Sequence, residues 1–175
     1  DTLRLYEMFM GPLEVSKPWS DQGVEGARRF LNRVWAFFTE PENLIDGELP
    51  ALEKIYHKTV KKVTEDFEKL AFNTAISQMM IFVNDCYKLG KVNKDMLVNF
   101  IRMLSAFAPH MCEEINSRLT GEETLAYDAW PTYDEAGLVQ ESVTIVIQVN
   151  GKIRAKFDAP MDSDKAFLEE TALKQ

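Results

Sequence analysis

Apolar residues recur in this sequence at spacings of three and four over one stretch after another, and each stretch is bounded by a residue that starts or stops a helix. Nothing constrains the fold more, because a chain patterned this way has to lay its helices against one another. Asp1 is placed to cap a short helix through TLRLYEMFM, in which Leu3, Leu5, Tyr6, Met8 and Phe9 surround the axis, and Gly11-Pro12 stops it. A helix apolar nearly all round needs cover on several sides. LEVSKPWS reads as extended chain and Ser20 as the N-cap of a long helix with Phe30, Leu31, Val34, Trp35 and Phe38 inward, ended by Pro41. After a turn at DGELP, Leu52, Ile55, Tyr56, Thr59, Val63, Phe67 and Leu70 hold helical phase. Asn73 is expected to cap a helix with Ile76, Met79, Met80, Val83 and Tyr87 inward and Gly90 at its end. Asn93 caps the next, with Leu97, Phe100, Ile101 and Leu104 inward; Pro109 breaks or kinks it and Gly121 ends the continuation. Met79, Met80 and Met103 share the phase of Ile and Leu and serve as core filler. The expected fold is mainly α: an antiparallel helix bundle with short connections.

The C-terminal part follows another rule. Residues 120–141 carry turns, acids and aromatics without a period, which describes either a linker or a packed loop. Val143, Ile145, Ile147 and Val149 then alternate with Thr144, Val146 and Gln148, and beyond Asn150-Gly151 the alternation resumes with Ile153, Ala155 and Phe157. This is a β-hairpin. A two-residue loop would pair Ile147 with Arg154 and mix apolar with basic residues on both faces. A three-residue loop of Val149, Asn150 and Gly151, with Gly151 at positive φ, is therefore the expected register; it pairs Ile147 with Ile153 and Ile145 with Ala155. Gln148, Lys152, Arg154 and Lys156 then share the other face. Asp162 or Ser163 caps a final helix that meets no stop signal before Gln175. Two strands alone are marginal in water, so the hairpin docks on helices or belongs to a larger module. The expected division is a helical domain at 1–141 and, at 142–175, the start of a truncated α+β domain. Asp1 falls within a dense helical pattern, and both ends are read as cuts through structure.

Charge limits the partners. Against 20 Lys and Arg stand 28 Asp and Glu, a net charge of -8, so any contact with a polyanion has to use local patches. Cys86 and Cys112 lie at apolar-periodic positions and read as reduced core residues of a cytoplasmic protein. No metal site is expected, since His110 and Cys112, two positions apart, fall on different helix faces. The first thirty residues hold no signal peptide, and no run is long and apolar enough to span a membrane.

No Gly-rich phosphate loop, activated nucleophile or paired ligand set is present, so catalysis is not expected within these residues. What stands out is local basic patterning. Lys54, His57, Lys58, Lys61 and Lys62 lie opposite the apolar stripe of one helix with no acid between Lys54 and Lys62. A solvated face explains them too, with Lys61 and Glu65 as an i,i+4 pair. Arg29 and Arg33 emerge from one helix face about 5 to 6 Å apart at Cβ, in mild repulsion unless an anion or acid lies between them. That geometry suits a phosphate backbone, and equally a structural carboxylate.

The run DTLRLYEMFMGPLEVSKPWSDQGVEGARRFLNRVW closely resembles the segment that follows the catalytic domain in bacterial leucyl-tRNA synthetases, and HKTVKKVTEDFEKLAFNTAISQMMIFVN, FAPHMCEE and QVNGKIRAKF are similar to later landmarks of the same family in the same order. FAPHMCEE marks the broader class I group, YEMFMGPLEVSKPWS the leucyl family. The resemblance implies a helix bundle of the anticodon-binding type followed by the opening of a small C-terminal domain. It implies a parent enzyme, likewise cytoplasmic and monomeric, that activates leucine with ATP and Mg and esterifies it to tRNA(Leu). The catalytic and editing domains would lie outside this chain, leaving it inactive alone and without a cofactor of its own. In that family the bundle lies along the tRNA body and leaves the anticodon bases largely unread, so the matching residues are backbone clamps: Arg29 and Arg33 first, then Lys58, Lys61 and Lys62, with Lys152 and Arg154 as further contacts. The competing reading is a non-enzymatic helical scaffold for protein partners.

Overall fold

The computed structural model describes residues 1–138, 142–149, 152–160, 163, 167, 168 and 171. The chain divides into two compact units, Asp1–Gly137 and Leu138–Gln175. The first is helical, with α1 at Thr2–Phe9, α2 at Asp21–Phe38, α3 at Pro50–Glu68, α4 at Phe72–Leu89, α5 at Lys94–Leu104 and α6 at Pro109–Thr120. None of the described helices is long and apolar enough to cross a membrane.

Local signals set most helix ends. Ser20 Oγ accepts from Gly23 N–H at 3.2 Å and Asn93 Oδ1 from Met96 N–H at 3.0 Å, the N-caps expected for α2 and α5. Gly90 and Gly121 close α4 and α6 at φ 70° and 75°, the left-handed C-cap that glycine adopts without a Cβ clash. Two assignments change. Asn73 lies inside α4, whose N-cap position is Ala71 and carries no side-chain bond. Asp1 leaves α1 uncapped and instead sends its carboxylate to the first turn of α6, accepting from Met111 N–H at 2.7 Å and meeting His110 Nδ1 at 2.8 Å.

The inner faces meet in one core, where Phe82 stacks on Phe100 at 5.2 Å and Phe38 meets Phe100 edge-on at 5.4 Å. Phe37 joins Phe30, Leu31, Val34 and Phe38 inside, while Trp35 is half-buried with the Arg118 guanidinium 4.6 Å from its ring. Tyr87 is partly exposed and Leu70 more so, both against expectation. α1 buries Leu5 and Tyr6 and packs Met8 and Phe9 against the core, leaving Leu3 exposed.

Residues 121–137 pack as a strap. Leu125 is buried with its N–H on the Glu113 carboxylate, Arg102 pairs with Asp128 at 2.7 Å, and Trp130 Nε1 donates to Thr64 Oγ1 at 2.9 Å. A pair of two-residue strands, β1 at Leu44–Ile45 and β2 at Val92–Asn93, runs parallel and ties the α2–α3 connection to the α4–α5 connection. Period gives no hint of a pairing this short.

In the second unit, β3 at Ser142–Val149 and β4 at Lys152–Pro160 form the antiparallel hairpin, in a register that overturns the expected one. Val149 pairs with Lys152 and Gln148 with Ile153, the two-residue-loop arrangement; then Ile147 pairs with Ala155 and Ile145 with Phe157, leaving Arg154 opposite no residue. A bulge in β4, rather than a longer turn, restores the apolar phase. Ile145, Ile147 and Phe157 are partly covered and Ala159 is buried, while Val146 on the other face is exposed. Gly151 and its φ lie outside the described residues, as does most of the expected final helix, of which Phe167, Leu168 and Thr171 are helical.

Candidate nucleic-acid interface

α4 packs between α2 and α3. With 100° per residue, Tyr87 leans toward α2, Asp85 and Leu89 toward α3, and Ile81, Asn84 and Lys88 stay exposed between them. Arg29 and Arg33 rise from the flank of α2 nearest this strip, and Lys54, Lys58 and Lys62 run along the facing flank of α3. Neighbouring helix axes lie 8–10 Å apart, so the two basic rows stand on the order of 20 Å apart across α4.

The members differ in what holds them. Arg29 is exposed and makes no ion pair among the described residues. Arg33 has no carboxylate either: its guanidinium lies 4.6 Å from the centroid of Tyr87, whose hydroxyl donates to Arg33 O at 2.9 Å. A cation stacked on a ring is oriented by its face while the N–H edges remain open to an anion. Lys54 and Lys58 have no ion pair among the described residues and stand beside a groove of about 450 Å³ shared with Asp85, Lys88 and Leu89. Lys61 turns away to the strap, with Glu135 at 3.8 Å and the Tyr133 ring at 5.7 Å; Glu65 is not its partner. Lys62 pairs with Asp66, a buried carboxylate that also accepts from Thr74 Oγ1 at 2.7 Å. His57, read as part of the basic row, accepts from Asp134 N–H through Nδ1 at 3.1 Å and lies near Glu53, so it anchors the strap. In the second unit Arg154 is exposed; the Lys152 side chain lies outside the described residues.

The face thus brings together Arg29, Arg33 and Lys58 and adds Lys54, Lys88 and Tyr87. Its acids are largely neutralised: Asp85 sits 2.5 Å from Lys88 Nζ and Asp66 is closed beneath Lys62, with Glu25 and Glu65 at the margins. Tyr87 was missed because a Tyr in apolar phase reads as core; its place three residues before the closing glycine, where a helix face opens to solvent, was the available signal. The thiols take no part, since burial pushes Cys86 up to about 12 and Cys112 higher still, leaving both protonated.

A family model described as the anticodon-binding domain of tRNA ligase matches residues 51–170. The chain belongs to this family of anticodon-binding domains. The match takes in α3 to α6 with Lys58, while α2 and its arginines precede it. Among solved structures, the agnB2 LeuRS of Agrobacterium radiobacter K84, in a ternary complex with tRNA and LeuAMS, superposes with a TM-score of 0.73 at 26% identity over 99% of this chain. The chain spans 24% of that protein's length. The mainly helical bundle with its hairpin is therefore the architecture expected of an anticodon-binding domain.

Proposed function

We propose that this chain is the tRNA-holding helical domain of a leucyl-tRNA synthetase, and that the α2–α4–α3 face grips the backbone of tRNA(Leu). The observation that carries this reading is the likeness along nearly the whole chain to a LeuRS in complex with tRNA. The face supports it physically: Arg29, Arg33, Lys54 and Lys58 lack carboxylate partners among the described residues and are spread over two helices, α2 and α3, which suits phosphates on a broad, shaped surface better than a single base. Such contacts fix the register of the tRNA and carry no sequence information of their own. The summed charge of -8 opposes RNA only at long range, and salt screens that beyond about 8 Å. On this reading leucine activation, with ATP and Mg, belongs to a catalytic domain of the same cytoplasmic, monomeric enzyme.

Titrating tRNA(Leu) against the chain at increasing salt tests this. Binding should weaken with a log–log slope of about -0.9 per phosphate contact, and Arg29→Ala with Arg33→Ala should make the slope shallower by about 1.8. The chain alone should give no leucine-dependent ATP–pyrophosphate exchange. Absence of tRNA binding at low salt together with capture of a protein partner would replace this reading with a protein scaffold. An unchanged slope in the double variant would move the interface elsewhere.

A further inference from the structure

His57 holds the end of the strap with a nitrogen that can also take a proton. Asp134 N–H donates to Nδ1 at 3.1 Å, which assigns the ring proton to Nε2, facing Glu53 Oε2 at 3.4 Å. Gly137 closes over the same ring: a Cβ there would stand 2.5 Å from His57 Cδ2, so the strap lies this close because residue 137 has no side chain. Asp134 Oδ1 accepts from Ala136 N–H at 2.9 Å and shapes the turn between them. Upstream the strap is fixed by other means, through buried Leu125 and Pro131, the Arg102–Asp128 pair and the bond from Trp130 to Thr64. Residues 134–137 therefore hang on His57 and on the 3.8 Å pair between Lys61 and Glu135, which is exposed and contributes little.

Imidazole is the side chain whose ordinary charge change falls between pH 5 and 8. A proton arriving on Nδ1 takes the lone pair that Asp134 N–H needs and sets two donors against each other. The charge it adds has carboxylates to meet it. Glu53 lies one turn before His57, Glu48 and Asp95 border the same recess of about 350 Å³ with Tyr56, and Asp134 and Glu135 come from the strap. Lys54, Lys58 and Lys61 stand within a turn of it on α3. Opening the end of the strap and charging the ring are thus one event, with one proton taken up.

We propose that His57 is a proton-operated latch on the basic face of α3: neutral, it holds residues 134–137 across Lys61, and protonated, it lets them go. Release takes Glu135 from Lys61, so α3 then presents two further positive charges, Lys61 and the imidazolium, beside Lys54 and Lys58. At 100° per residue, positions 54, 57, 58 and 61 fall within about 100° of one side of the helix. The proposal deepens the tRNA-holding reading and rests on it: the strap covers part of the phosphate-binding face, and a fall in pH uncovers it.

Amide exchange and the His57 ring resonances, followed together on the chain without RNA, test the latch. Protection of the Asp134 amide, taken against the free-peptide rate at each pH, should fall between about pH 8 and about pH 5.5 as the ring titrates, by up to about tenfold per pH unit. His57→Gln, which offers an acceptor and gains no proton, should abolish that fall, and Gly137→Ala should give the low protection at about pH 8 as well. Ring titration with Asp134 protection unchanged would make His57 a static anchor and overturn the proposal, as would a fall that survives in His57→Gln. With tRNA(Leu) at about pH 8, Gly137→Ala should tighten binding and steepen the salt slope by about 0.9, and adding Lys61→Met should cancel both. A latch that opens without that gain would overturn the regulation of the face. Binding absent at every pH would instead fail the synthetase reading, and the exchange rates, measured without RNA, would still report the latch.

Discussion

Lys58 and Lys62 are one turn apart on α3, carry the same charge and do different work. Lys58 is exposed and has no ion pair among the described residues, whereas Lys62 neutralises Asp66, which is 3% exposed. Lys62→Met should cost about 1–3 kcal/mol, because it leaves a buried carboxylate with the Thr74 hydroxyl as its one side-chain partner. It should change tRNA affinity less than Lys58→Met does. Urea unfolding alongside tRNA titration of both variants checks this; equal stability with a larger loss of tRNA binding for Lys62→Met would return Lys62 to the interface. The distinction was not legible in the sequence, where an i,i+4 Lys and Asp reads as a solvated pair. Only the packing of α4 against α3, which brings Thr74 over Asp66, closes the carboxylate off.

Among the elements, α1 and α6 show how one helix is completed by another. Pro109 opens α6, and its N-cap position, Ala108, has no side chain to offer; the cap comes from Asp1, more than a hundred residues earlier. Asp1→Ala should destabilise the helical unit by about 1 kcal/mol, and Asp1→Asn should restore part of that. Amide exchange at His110 and Met111 reports it directly, and unchanged exchange there would show the cap to be dispensable. The hairpin teaches a related lesson. Alternation identified both strands, and the demand that apolar residues share a face was correct, but a longer turn and a bulge meet that demand equally. The structure chose the bulge at Arg154.

Over the whole molecule, the buried titratable groups should weaken the folded state at alkaline pH. Burial raises Cys86 from 9.0 to about 12 and raises Cys112 further; Tyr56 is raised by burial against the lowering effect of its Asn99 hydrogen bond. The folded state therefore keeps protons that the unfolded chain releases. Their contribution is fully present below pH 9 and is lost as pH rises from about 9 to about 12, at up to about 1.4 kcal/mol per pH unit for each group. Unfolding free energies measured across that range should fall, and fall less steeply for Cys86→Ala with Cys112→Ala; parallel declines would assign the loss to other groups. At this scale the division of labour between sequence and structure is plain. Which segments are helices, where Ser20, Asn93, Gly90 and Gly121 begin or end them, and which faces turn inward follow from the sequence alone, because the 3.6-residue period and the caps depend on neighbours a few positions apart. The tertiary structure decided that Asp1 serves α6, that β1 pairs with β2, that His57 and Lys61 hold the strap and that Arg29, Arg33 and Lys58 form no ion pair among the described residues. Each of those depends on which helix face meets which partner across tens of residues, and local spacing carries no record of that.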